Sequence, residues 1–293
     1  MARAGGAILG YDLGDRSFRS SYNANADSNC ITKIMDVNPV FKVSALLLAT
    51  AAFFYSFTPP TPMNVSEKEG AVVPSTYERL MRVMFRGLPV YMVSNHNWNR
   101  IDKLLNQVLQ VCLWLAAGIE SAVILARAYP SFTVSRIILE IFLFEGSGSG
   151  IRITAARFLG IILAVLGARL RAWCYRTLGK HFTFVLTMKK DQTLVTTGPY
   201  SVIRHPSYTG LAMVVIAIAL VHATDGSWMR ESGMLRTPFG QLVFVTFILF
   251  PVVGIVTLLA RVKEEEDELR KRYKKEWEDW VVHVPYMLIP GII

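Results

Sequence analysis

Cysteine is scarce: Cys30, Cys112 and Cys174 stand far apart among 293 residues and form no C-x-x-C pair. That argues against a disulfide framework or a zinc site and suits a reducing compartment. His96, His181, His205, His222 and His283 show no metal-ligand spacing, so no metal is expected. A dinucleotide fingerprint is lacking too, because the glycines of "EGSGSG" (145–150) do not match G-x-G-x-x-G and follow no strand pattern. Alternating strand runs and internal repeats are missing, which predicts a chain that is nearly all helix. Residues 1–36 have no continuous apolar core of the signal-peptide kind and are rich in Gly, Ser, Asn and Asp; a disordered N-terminal tail is expected there. The terminal "PGII" is no lipidation box.

Charge is also low, at 18% against 52% hydrophobic residues, which moves the chain from a soluble average toward the membrane class. The apolar residues are concentrated. Phe239 to Ala260, "FGQLVFVTFILFPVVGIVTLLA", carries no charge and is long enough to cross a ~30 Å hydrocarbon core. Val40 to Phe57, Leu104 to Ala126, Ile153 to Trp173 and Thr209 to Ala223 complete five predicted spans. In the third, Arg152, Arg157, Arg169 and Arg171 sit at the ends, where long cations are expected to snorkel to the headgroups. Phe132 to Phe144 is too short and too charged to span and is expected to be re-entrant or interfacial. Asn106, Gln107, Gln110 and Glu120, costly in lipid, are expected to face other helices.

With the C-terminus in the cytosol, 20 of the 31 Lys and Arg fall on inside segments and 10 on outside ones, with Lys42 within the first span. The positive-inside rule therefore favours a cytosolic C-terminus. The net charge of +9 then faces anionic lipid headgroups, and no nucleic-acid partner is needed to explain it. The lipid bilayer is the expected partner.

Two polar blocks remain. In "TTGPYSVIRHPSYTG" (196–210), Gly198-Pro199 signals a turn, Pro206 suits the first helical position, and His205 is held extended at the N-cap by the proline after it. The helix that follows presents N–H groups and a positive dipole end that favour an anion, and Arg204 adds a cation beside it. The second block follows the last span, where Arg261 and Glu265 lie one helical turn apart and share a face. The fourth span leaves and the fifth returns, so both blocks emerge on one side of the membrane. Beyond them a charged helix is predicted over roughly 260–282, ending before Pro285, with Trp277 and Trp280 as interface anchors.

Together these blocks resemble the isoprenylcysteine carboxyl methyltransferase family of integral membrane enzymes. The matching residues are "RTLGKHFTF" (176–184), "LVTTGPYSVIRHPSYTG" (194–210), "RVKEEEDEL" (261–269) and "VPYMLIPG" (284–291). The resemblance implies an all-α integral membrane protein of about five transmembrane helices, with a cytosolic C-terminal helix completing the cofactor pocket. It divides the chain into the tail 1–36, helices 1–3 over 37–173 and a catalytic region over 174–293. S-adenosylmethionine is implied as methyl donor and the C-terminal carboxylate of a prenylated cysteine, in CaaX-processed proteins, as acceptor. The implied cofactor contacts are Gln192, Thr193, Leu194, Val195, Tyr200, His205, Pro206, Ser207, Tyr208 and Glu265. Arg261 would contact the acceptor, and Arg261 with Glu265 would form the catalytic pair. In a eukaryotic cell the resemblance implies the endoplasmic reticulum. The chain departs from the pattern at Tyr273-Lys274, where the family often has Phe-Gly, and Asp225 to Pro238 looks inserted.

An ionised carboxylate needs no general base, so the acceptor chemistry rests on alignment in a dry site. Other readings predict other residues. A methyltransferase for a phospholipid amine or another small amphiphile needs an extra base, a membrane reductase with a related C-terminal half needs cations for nicotinamide phosphates, and a scaffold or transporter leaves the two blocks without a common pocket.

Overall fold

The computed structural model describes residues 38–58, 95–144, 148–179 and 193–292. Described residues form helices and loops without a strand. The helices are α1 (Pro39–Phe57), α2 (Asn95–Ala128), α3 (Thr133–Phe142), α4 (Ala155–Leu178), α5 (Pro206–His222), the one-turn α6 (Trp228–Glu231), α7 (Pro238–Tyr273) and α8 (Lys275–His283). The tail 1–36 and much of the 145–150 loop lie outside the described residues.

Among the described residues, four helices are long and apolar enough to cross a membrane: α1, the Asn106–Ala128 part of α2, α4 and α7. The fourth predicted span, α5, has only 17 residues, about 26 Å at 1.5 Å per residue. It lies in the middle of the bundle. Its Val214, Ala217, Ile218 and Val221 pack with Leu46, Ala49 and Phe53 of α1, Leu113 and Ala117 of α2, and Ala164 and Ala168 of α4. Because lipid is as apolar as these side chains, helix association in a membrane depends on close packing rather than on escape from water. Small residues provide it. Gly167 of α4 and Gly210 of α5 touch backbone to backbone: a Cβ on Gly167 would stand 2.6 Å from the Gly210 carbonyl oxygen. By contrast, the apolar half of α7 turns Leu249, Val252, Val253 and Val256 outward, as a lipid-facing surface does.

At the C-terminal end of α5 lies a buried polar knot. Arg157, 4% exposed, pairs with Glu120 and donates to the carbonyls of Val221 (3.0 Å), Arg152 (2.9 Å) and Gly226 (2.6 Å). Glu120 also accepts the Trp228 N–H at 3.2 Å. Such saturation is what a buried ion pair requires. It corrects the snorkelling expectation for Arg157, and likewise for Arg171, which is 3% exposed; Arg152 and Arg169 are exposed as expected. A guanidinium on the packed face of α4 reaches carbonyls of neighbouring elements more readily than it reaches headgroups. The facing of Glu120 and Asn106 into the bundle follows the prediction, with Asn106 Nδ2 donating to the Phe57 carbonyl at 2.9 Å.

The inserted-looking stretch 225–238 caps the same end. Trp228, Met229 and Met234 are buried there with Val123, Ile124 and Ile151, and Trp228 Nε1 donates to the Phe142 carbonyl at 2.9 Å. Arg152 N–H bonds the Gly226 carbonyl at 3.1 Å and Phe144 N–H the Ser232 carbonyl at 2.9 Å. Segments assigned to the outside by charge counting thus meet at one end of the bundle.

The predicted single helix over 260–282 is two. Helix α7 stops at Tyr273, Lys274 takes φ 47° and ψ −112°, and α8 begins at Lys275. Lys274 is the one described non-glycine residue with positive φ, at the position where the family's Phe-Gly would supply a glycine free of that strain.

Candidate active site at the membrane boundary

The site is built at the N-terminal end of α5. Gly198, at φ +62°, opens a short 3₁₀ turn over Gly198–Ser201 that buries Pro199 and Tyr200. His205 is the N-cap residue and Pro206 the first helical position, as their order implies; the His205 carbonyl accepts the N–H groups of Tyr208 (3.0 Å) and Thr209 (3.2 Å). The imidazole, 3% exposed, is aimed elsewhere.

It meets the second block. His205 Nε2 lies 2.7 Å from Glu266 Oε1, and Arg204 grips the same carboxylate through Nε (3.0 and 3.2 Å) and Nη2 (2.9 Å). Burial alone would raise the pKa of Glu266, but the hydrogen bonds from His205 and Arg204 outweigh it and hold the carboxyl below the usual carboxylate range. On the neighbouring face, the Tyr208 hydroxyl lies against both Arg261 and Glu265. Glu265 is one-third exposed and its Oε2 stands 4.0 Å from His205 Nδ1. The result is a mixed group of a phenol, a guanidinium, an imidazole and an accessible carboxylate, able to hold a ligand that carries both charges.

The last residues tie the two blocks. Arg204 Nη1 donates to the carbonyls of Val284 (2.8 Å) and Pro285 (2.7 Å), and the backbone N–H groups of Arg204 and His205 donate to the carbonyls of Tyr286 (3.0 Å) and Met287 (2.9 Å). Thr209 Oγ1 donates to the Leu288 carbonyl at 2.7 Å. Arg204 is therefore spent on a carboxylate and two carbonyls, which corrects its expected role as a cation for an incoming anion. Trp280 is corrected as well. It is 7% exposed, donates its indole N–H to the Tyr200 carbonyl at 3.2 Å and packs with Cys174 and Val284, so it locks α8 to the loop and is no interface anchor. Trp277 is half-buried under the Arg270 guanidinium.

Of the predicted contacts, Gln192 lies outside the described residues. Thr193 is exposed, while Leu194 and Val195 turn their side chains onto the cluster of Cys174, Tyr200 and Trp280. Burial, then Cys174 and Glu265 nearby, keep the Tyr200 phenol protonated well above its ordinary range. The Ser207 hydroxyl and carbonyl accept from Arg171 Nη1 at 3.2 and 3.1 Å. Pro206 is buried beneath the site, while Tyr208, Arg261 and Glu265 converge.

Two residues were missed. Glu266 hides in the run "KEEED", whose members are indistinguishable until the helix phase against α5 is known. Arg171, whose Nε also donates to the Ser56 carbonyl at 3.0 Å and so ties α1 to the first turn of α5, looks in sequence like any cation at a span end. Among the described residues no His, Cys, Asp and Glu group could hold a metal ion.

Fold and site define an all-helical, multi-span membrane protein with a polar cluster where the N-terminal end of α5 meets α7. Residues 160–227 match the model of the isoprenylcysteine carboxyl methyltransferase (ICMT) family. The chain is 27% identical over 158 residues, 52% of its length, to the protein-S-isoprenylcysteine O-methyltransferase of Saccharomyces cerevisiae, and 26% identical over 128 residues, 43% of its length, to protein-S-isoprenylcysteine O-methyltransferase B of Arabidopsis thaliana. A similar match, 26% over 115 residues and 39% of the chain, is the uncharacterized protein YpbQ of Bacillus subtilis. These alignments span 58%, 55% and 57% of the respective relatives. Over these segments the chain is similar to the isoprenylcysteine carboxyl methyltransferases, and it spans less than two thirds of the length of the relatives it matches.

Proposed function

We propose that the chain is a protein-S-isoprenylcysteine carboxyl O-methyltransferase that uses S-adenosylmethionine to esterify the C-terminal carboxylate of a prenylated cysteine in CaaX-processed proteins. The observation that carries this reading is the convergence of Tyr208, Arg261 and Glu265 beside His205 at the membrane boundary. That donor set suits a zwitterionic amino-acid end: Glu265 and the acceptor nitrogen of His205 for an ammonium, the Tyr208 hydroxyl for a carboxylate. When bound, S-adenosylmethionine supplies an electrophilic methyl group on a sulfonium.

The protein's own residues align and exclude water. Arg261, one residue beyond the apolar run of α7, is suited to fork a carboxylate through two N–H groups, and a carboxylate already ionised requires no base from the protein. Holding that oxygen in place is the larger contribution, because pre-oriented reactants avoid the entropy of encounter. Arg171 and the C-terminal strap keep the first turn of α5 still while this happens. A membrane location fits an acceptor whose prenyl chain prefers lipid, with the site facing the cytosol and, in a eukaryotic cell, the endoplasmic reticulum as the membrane.

The test uses purified full-length protein with methyl-labelled S-adenosylmethionine and either a farnesylated cysteine analogue or phosphatidylethanolamine. Label in a base-labile ester of the first supports the proposal; exclusive labelling of the lipid overturns it in favour of the small-amphiphile reading.

A further inference from the structure

Three N–H groups converge on the carboxylate of Glu266. Oε1 receives Arg204 Nε at 3.0 Å and faces His205 Nε2 at 2.7 Å; Oε2 receives Arg204 Nη2 at 2.9 Å. An ionised carboxylate only accepts hydrogen bonds, and a guanidinium only donates them. The contact at 2.7 Å is therefore satisfied when His205 Nε2 carries the hydrogen, and in the neutral ring that leaves Nδ1 with a bare lone pair.

The ring has little freedom to choose otherwise. Its backbone N–H is bonded to the Met287 carbonyl at 2.9 Å, its carbonyl is occupied by the first turn of α5, and its face rests against Tyr208 with ring centroids 5.7 Å apart. Nδ1 points to Glu265 Oε2 across 4.0 Å, too far for a direct hydrogen bond. Two acceptors, one imidazole nitrogen and one accessible carboxylate oxygen, thus border the same small space. An ammonium or a pair of hydroxyls fits between them, since each can donate to both.

We propose that Glu266 is a positioning residue: it holds His205 in the Nε2–H tautomer, so that Nδ1 is the atom His205 presents to a ligand shared with Glu265. That the ligand is the methyl donor rests on the function proposed above; the tautomer assignment does not. An amide cannot replace Glu266. Gln at this position turns its NH₂ toward either Arg204 or His205, both donors, and the ring loses its fixed orientation.

The experiment is nitrogen-15 NMR of full-length protein in lipid nanodiscs, with histidine rings labelled and the His205 signals identified by their loss in H205N. Over a pH series, the neutral ring of the unaltered protein is expected to show protonated Nε2 and bare Nδ1. In E266Q the tautomer becomes mixed, and equilibrium binding of labelled S-adenosylmethionine weakens roughly tenfold, the scale of a lost hydrogen bond to a charged group; in E266D, still acceptor-only, the Nε2–H form returns. A bare Nε2 in the unaltered protein overturns the proposal, and so does an E266Q protein with both tautomer and affinity unchanged. If E266Q does not fold, the unaltered spectrum still decides. The Nε2–H signature in a protein that binds no S-adenosylmethionine supports the positioning role and sinks the donor reading alone.

Discussion

Gly167→Ala tests whether the backbone contact between α4 and α5 sets the site. The added methyl would lie 2.6 Å from the Gly210 carbonyl oxygen, 2.9 Å from Val214 Cγ2 and 3.1 Å from Met213 Cβ. Ordinary contact begins near 3.4 Å, so the helices must part by roughly 0.8 Å along that line, and the carbonyl cannot swing away as a flexible side chain would. Overpacking of this size costs about 1–3 kcal/mol. Gly210 is one turn beyond Pro206, so the displacement is delivered to the turn that carries His205 and Tyr208. A lower unfolding temperature in detergent is expected, together with weaker binding of labelled S-adenosylmethionine. Gly118→Ala on α2 is the control. Nothing lies within 4 Å of its new methyl, and alanine's helix propensity leaves it neutral or slightly more stable. If Gly167→Ala matches the control in both stability and binding, the close-contact argument fails.

Arg261→Ala and Glu265→Ala are each expected to remove most turnover while the elution profile and helical circular dichroism stay those of the unaltered protein; near-normal activity in both means the site is misplaced. Glu266, whose carboxyl is held below its ordinary range, contributes stability that is complete above the unfolded-state value and lost as pH falls through the lower folded value; unfolding followed on the acid side should show this slope, and E266Q should flatten it. Lys274→Gly replaces a side chain at φ 47° and is expected to stabilise the protein by roughly 0.5–1.5 kcal/mol, read as a higher unfolding temperature; a decrease would show that the Lys274 side chain contributes more than its backbone strain costs.

Much of the site could be read from residues 196–210 because its cues are local. Pro206 cannot donate at a position where no donor is needed, and Gly198-Pro199 marks a turn that Gly198 makes at φ +62°; the extended backbone expected of His205 is not found, since its ψ of 57° lies outside that region. Four of the five expected spans were legible for the same reason, since length and apolarity are properties of a continuous segment, while the 17-residue α5 falls short of them. Topology followed from parity: one helix out and one back place Arg204 and Glu266 on a single side, and their hydrogen bonds conform to it. The choice between Glu265 and Glu266 was not legible, because adjacent carboxylates point about 100° apart on a helix and only the packing of α7 on α5 says which one turns to Arg204. Trp280 and Arg171 were misread by the same limit, as each has an environment supplied by residues far away in the chain.

What the sequence by itself determined is therefore most of the long helices, the start of α5 at Pro206 and the meeting of the two polar blocks at one end of the bundle, all consequences of backbone chemistry and solvent partition along a contiguous segment. Only the tertiary structure decided which charges neutralise one another. Arg157 with Glu120 and Arg204 with Glu266 are pairings across sequence separations of 37 and 62 residues, and a charge buried among helices is stable only where a specific distant partner completes it.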